Sequence, residues 1–154
     1  MRDQWRSIGV LTGVLFAVNV VARLVTRFAF DEDVAAADRV SLAMFLVVGL
    51  ILAAVAFTWA RRSPVARWGA DLAAAVGVAM LATILLGPLV VGANPFAGGV
   101  GTFFAQIWLY LLSTAAGVLV GYLLATALGL DHRSRQLKRY AEIKSTKPRR
   151  PVRR

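Results

Sequence analysis

The chain has no cysteine, which excludes disulfides, thiolate catalysis and cysteine-ligated metal. Its single histidine, His132, sits beside Asp131 and Arg133, with no second imidazole or thiolate nearby to complete a metal shell. Acidic residues are also few, eight against eighteen lysines and arginines. They form no pair inside an apolar run, and no nucleophile, base and orienting group fall together, so no catalytic set and no cofactor site are expected. Charge of either sign is scarce outside the last 24 residues.

Apolar sequence fills the rest. Hydrophobic residues make up 58% of the 154 and charged residues 17%, too apolar a balance for an ordinary soluble domain of this length. A membrane span needs about 20 mostly apolar residues at ~1.5 Å rise each. Residues 40–60 and 103–128 carry no charge, and a third apolar tract runs from 72 to 102. Residues 7–22 are uncharged until Arg23, and counting on to Phe28 makes a fourth span. The expected spans are therefore about 6–28, 40–60, 72–91 and 102–128. A cleaved signal peptide is the rival reading of the first, because Arg2 and Arg6 precede an apolar run and VVA at 20–22 resembles a cleavage site. Its removal would leave an odd number of helices and move the basic tail to the other side of the membrane.

Positive charge orients the chain. The N-terminal segment, the connection containing Arg61, Arg62 and Arg67, and the segment after Leu128 hold 15 of the 18 basic residues. All three fall on one side of a four-helix chain, and that side is expected to be the cytoplasm. Trp5, Trp59 and Trp68 fall at the same interface. The opposite side carries Arg23, Arg27 and Arg39 against Asp31, Glu32, Asp33 and Asp38, a net charge of −1. The bias toward alanine, valine, leucine and arginine, with all three lysines in the tail, suggests a bacterial source and hence the bacterial plasma membrane. The fold expected is an all-α integral membrane protein: a four-helix transmembrane bundle over residues 1–130 and a basic cytoplasmic tail over 131–154.

Between the third and fourth spans lies GANPFAGGVG, residues 92–101. No strand precedes these glycines and no lysine follows them, so they do not form a phosphate-binding loop. Ten residues are too few to dip into hydrocarbon and return. A turn is expected, with Gly87-Pro88 loosening the end of the third helix.

Ionisable groups inside a membrane mark functional sites by default. Asn19, Arg23 and Arg27 recur every four residues and share one helix face. Arg23 lies 18 residues past Trp5, roughly 27 Å along a helix, where an arginine near the headgroups is expected to snorkel outward. The functional alternative is that Asn19 and Arg23 turn inward and meet Gln106 in a polar pocket open to the outside. Asp71 reads as a first-turn carboxylate four residues after Arg67, favoured by the helix dipole. Asp31, Glu32 and Asp33 read as a solvated loop, since three consecutive side chains diverge.

Small residues mark helix contacts, because lipid offers no hydrophobic drive for association and close backbone approach must supply it. Ser113, Gly117, Gly121 and Ala125 form such a stripe along the fourth span, and Gly9 and Gly13 form a shorter one on the first. Packing within the bundle is the favoured use of both.

The tail begins DHRSRQLKRYAEIK, which can continue as a helix with Leu137, Tyr140 and Ala141 on one side, and breaks at STKPRRPVRR. Arg133, Arg135, Lys138, Arg139, Lys144, Lys147, Arg149, Arg150, Arg153 and Arg154 are expected to hold anionic lipid headgroups, at ~1 kcal/mol per residue near the surface. Adjacent lipid, rather than nucleic acid, is the expected partner. Taken together, these features predict a non-enzymatic accessory or scaffold subunit that pairs with a membrane protein or with itself. A small oligomeric transporter or channel is the alternative, weakened by the lack of a mid-membrane charge.

Overall fold

A computed structural model describes residues 2–30, 34–94, 96 and 99–146. It is all-α, in the order α1 (Arg2–Ala29), α2 (Val34–Arg62), α3 (Val65–Leu81), a π-helical turn (Ala82–Leu86), α4 (Gly87–Val90), α5 (Gly99–Ala127) and α6 (His132–Thr146). Four helical stretches are long and apolar enough to cross a bilayer, with α3, the π turn and α4 forming one of them. The chain is a multi-pass α-helical membrane protein. The first three spans run on through flanking charged residues such as Arg6, Arg61, Arg62 and Arg67.

The helix ends follow from local chemistry. Pro64 stands immediately before α3 with extended backbone, so α3 begins seven residues earlier than the 72–91 span implies. Asp71 consequently lies in the second turn of α3, not the first. Two helix ends close by the same double hydrogen bond, in which the third carbonyl from the end accepts from a residue five positions on. Ala93 N–H reaches the Pro88 carbonyl at 2.9 Å beyond α4, and Leu130 N–H reaches the Ala125 carbonyl at 2.9 Å beyond α5. Each needs a left-handed residue at the turn, supplied by Gly92 (φ 72°) and Gly129 (φ 63°). The glycine-rich connection is thus a helix stop, continued by Phe96 N–H donating to Asn94 Oδ1 at 2.9 Å. After the second stop, Asp131 caps α6, its Oδ2 accepting from Arg133 and Ser134 N–H at 3.2 Å each.

The spans pack as two parallel pairs. In the first, Ser113 Oγ of α5 donates to the Phe45 carbonyl of α2 at 2.6 Å. One turn on, Gly117 faces Gly49, and a turn further Gly121 faces Ala53. A Cβ placed on Gly117 would lie 2.9 Å from the Gly49 Cα, and one on Gly121 2.8 Å from the Ala53 Cα. The α5 stripe therefore packs inside the bundle, and Ala125 at its end is fully buried. In the second pair, Thr12 Oγ1 of α1 donates to the Ala75 carbonyl of α3 at 3.2 Å. Gly9 and Gly13 play no part in it. Both are exposed, and a Cβ on either would meet nothing within 4 Å. The expectation that this second stripe packs within the bundle is corrected here: helix α1 buries Leu11 and Leu15 instead, which turns the glycine face outward.

One continuous apolar cluster, including Leu15, Val48, Leu52, Leu72, Ala79 and Ala125, fills the half of the bundle nearer the chain termini. The half nearer the α1–α2 and α4–α5 connections is built differently.

Candidate functional site: a polar cavity in the open half of the bundle

Beyond the apolar cluster the helices enclose a cavity of about 510 Å³ lined from α1, α2, the π turn, the segment after α4 and α5. Its formation traces to Pro88. Proline has no N–H and its ring crowds the carbonyl four residues back, here Ile84. The hydrogen-bond ladder widens by one residue, with Gly87 N–H bonding the Ala82 carbonyl, a π-type register often found at functional sites. The bulge carries Thr83 and Ile84 into the cavity wall.

Gly87 contributes by what it lacks. A Cβ there would fall 2.7 Å from Arg23 Nε and 2.8 Å from Asn19 Oδ1, so the missing side chain is the space into which the α1 polar stripe packs. Arg23 Nε donates to Asn19 Oδ1 at 3.1 Å, and Asn19 Nδ2 approaches Met44 Sδ of α2 at 3.0 Å, a weak acceptor. Asn19 is 3% exposed. Arg23 is half-buried and lines the cavity together with Asn19 and Gln106. The three residues of the inward arrangement thus line one cavity, with a hydrogen bond between Arg23 and Asn19.

Two further polar side chains complete the site. Tyr110 of α5 is 1% exposed and Thr83 4%. Their hydroxyls are neighbours, yet neither has a partner at full hydrogen-bond geometry. A buried hydroxyl left unsatisfied is costly, about 1–3 kcal/mol, so each of the two is the other's nearest polar company inside the wall. Thr83 was recognisable in the sequence only as a mid-membrane hydroxyl. Tyr110 carried no local signal, since its partner lies on another span.

Arg27 lines the cavity nearer its mouth, and Met44, Phe45, Ile84 and Leu109 supply apolar wall. Among the described residues no carboxylate lines the cavity, and Arg23 is hydrogen-bonded to Asn19. The described lining therefore combines positive charge with apolar surface.

A smaller cavity of about 310 Å³ lies at the opposite end, lined by Ser7, Trp59, Arg62, Arg67, Trp68 and Asp71 among others. The Trp68 indole N–H is buried there without a partner. On α6, Arg133, Arg135, Lys138, Arg139 and Lys144 are all exposed, as are Leu137, Tyr140 and Ile143. Lys147, Arg149, Arg150, Arg153 and Arg154 lie outside the described residues, as do Asp31, Glu32 and Asp33. His132 opens α6, 3.5 Å from the Gln136 amide nitrogen. Comparison with protein-family models, with curated proteins and with solved structures finds no match.

Proposed function

We propose that the chain is a non-enzymatic accessory protein of the bacterial plasma membrane, both termini cytoplasmic, that receives a small ligand in the cavity from the extracytoplasmic side. One observation carries this reading: four polar residues from three different segments, Asn19, Arg23, Thr83 and Tyr110, line one open volume. A mere packing defect in a membrane bundle would be lined by apolar groups, since each unsatisfied polar group is costly there. The orientation rests on the basic residues flanking the spans, and the exposed basic face of α6 is assigned to anionic headgroups of the inner leaflet. The outward glycines of α1 supply a face for a membrane-protein partner or a second copy. An oligomeric transporter fits less well, because the apolar cluster around Leu15, Val48 and Leu52 closes the cavity floor.

The cysteine-free chain permits a direct test. Cysteines placed singly at Ser41 and Gln106, which line the cavity, should react in intact cells with a membrane-impermeant thiol reagent, as should one at Ala93 in the exposed connection. One at Ser145 should not. Protection of Ser41 and Gln106 with labelling of Ser145 would reject both the orientation and the open cavity.

A further inference from the structure

We infer that the cavity's ligand is an amphipathic oxyanion, a carboxylate or phosphate monoester attached to an apolar group, with its acidic head at Arg23. This rests on the reading above that the cavity receives a ligand, and it adds the ligand's chemical class.

Charge gives the sign. A guanidinium inside a bilayer needs a counter-charge or water, and Arg23 has only the neutral Asn19 amide on its Nε. Its two terminal nitrogens carry no partner among the described residues. That leaves the planar edge that binds carboxylate or phosphate through two parallel hydrogen bonds. Arg27 adds a second positive charge nearer the mouth, and no described carboxylate answers either one inside the cavity. Among the described lining residues, a neutral ligand would leave both charges without a carboxylate beside them.

Thr83 and Tyr110 belong to the wall that contains Arg23, with their hydroxyl oxygens buried beside one another. The volume then requires more than a head: about 510 Å³ is many times the ~30 Å³ share of one water and falls in the range of small-molecule sites, roughly 300–1,000 Å³. Phe45, Ile84 and Leu109 line that remaining space, which suits an alkyl or aromatic group and not a second polar one. Asn19 and Gly87 are positioning residues, the first holding Arg23 Nε and the second making room for it.

The test uses the full-length protein in nanodiscs of zwitterionic lipid, with empty nanodiscs as the partition control, and three probes of equal chain length: decanoate, decyl phosphate and decanol. Saturable binding of both anions with at least about tenfold preference over decanol, the worth of one charge-assisted contact, is the expected result. Arg23→Gln should bring that preference close to one while decanol binding is retained, and Arg23→Lys should keep part of it. An unaltered unfolding midpoint shows that the Arg23 variants fold. Adding phosphatidylglycerol to the nanodiscs distinguishes the source: competition with decanoate assigns the head to a membrane lipid, and its absence to a soluble amphiphile. Decanol bound as tightly as decanoate, or an anion preference that survives Arg23→Gln, overturns the inference and leaves the ligand-binding reading standing. Failure of all three probes to bind above the empty nanodisc overturns both.

Discussion

Gly121→Ala adds one methyl group at the closest approach of two helices. The new Cβ would sit 2.8 Å from the Ala53 Cα, whereas ordinary van der Waals contact begins at 3.4 Å, and the obstructing atoms are backbone, which cannot rotate away. Helices α2 and α5 must separate. Overpacking of this kind costs typically 1–3 kcal/mol, and separation also stretches the Ser113–Phe45 hydrogen bond, a class averaging about 0.6 kcal/mol in membrane proteins. Gly117→Ala meets the Gly49 backbone in the same way. Because the two sites lie one turn apart and are relieved by a single separation, the double variant should lose less than the sum of the singles. Gly9→Ala and Gly13→Ala are matched controls with nothing within 4 Å, and should change stability by no more than about 0.5 kcal/mol. Reversible unfolding in mixed micelles, titrated with a denaturing detergent and followed by far-UV circular dichroism, measures the five variants and the parent. A Gly121→Ala protein within 0.5 kcal/mol of the parent on the scale set by the controls refutes the close packing of α2 on α5.

The cavity and the tail offer two further checks. Gly87→Ala should destabilise by about 1–3 kcal/mol through its clash with Arg23 and Asn19, and much of that loss should vanish in an Arg23→Ala background; strict additivity in this double-mutant cycle would show that the two residues do not touch. A spin label on a cysteine at Leu137, within the exposed apolar side of α6, should be accessible to oxygen in bilayers containing anionic lipid and to a water-soluble relaxant in zwitterionic ones, and raised salt should reverse the difference because the attraction decays within about 8 Å at physiological ionic strength. Identical accessibility in the two bilayers refutes lipid binding by this helix.

Most of the architecture is legible in the chain because a bilayer imposes a length rule, and charge-free tracts such as 40–60 and 103–128 satisfy it without reference to anything else. The limits appear where one span meets another. A four-residue repeat of small side chains defines a face but not what the face meets, so Gly117–Gly121 and Gly9–Gly13 read alike although one pair abuts the α2 backbone and the other points away from the protein. The complementary positions on α2, Gly49 and Ala53, escape notice as one glycine and one alanine in a strongly apolar helix. Depth along α1 does not say which way Arg23 points: Gly87, 64 residues later, leaves the room its side chain takes beside Asn19. The Gly-Pro pair did signal a local irregularity, but the shift to a π register, and the exposure of Thr83 to the cavity that follows, is a three-dimensional consequence.

The two halves of the bundle obey opposite rules, and the division explains why the site lies where it does. Toward the termini, Leu15, Val48, Leu52 and Leu72 interdigitate with alanines, and small-residue contacts draw each parallel pair together. On the other side the same helices carry Asn19, Arg23, Thr83 and Tyr110, each an expensive residue at membrane depth, and α3 gives up regular hydrogen bonding at the π turn. Local rules that agree everywhere else and fail together in one place mark function more reliably than any single exception. The geometry of the failure is also informative. Arg23 and Thr83 belong to the α1–α3 pair, whereas Tyr110 and Met44 belong to the α5–α2 pair, so a ligand seated among them touches both. The closed apolar half holds the pairs in register by itself, so on the proposed reading a ligand in the open half would bridge two pairs already assembled.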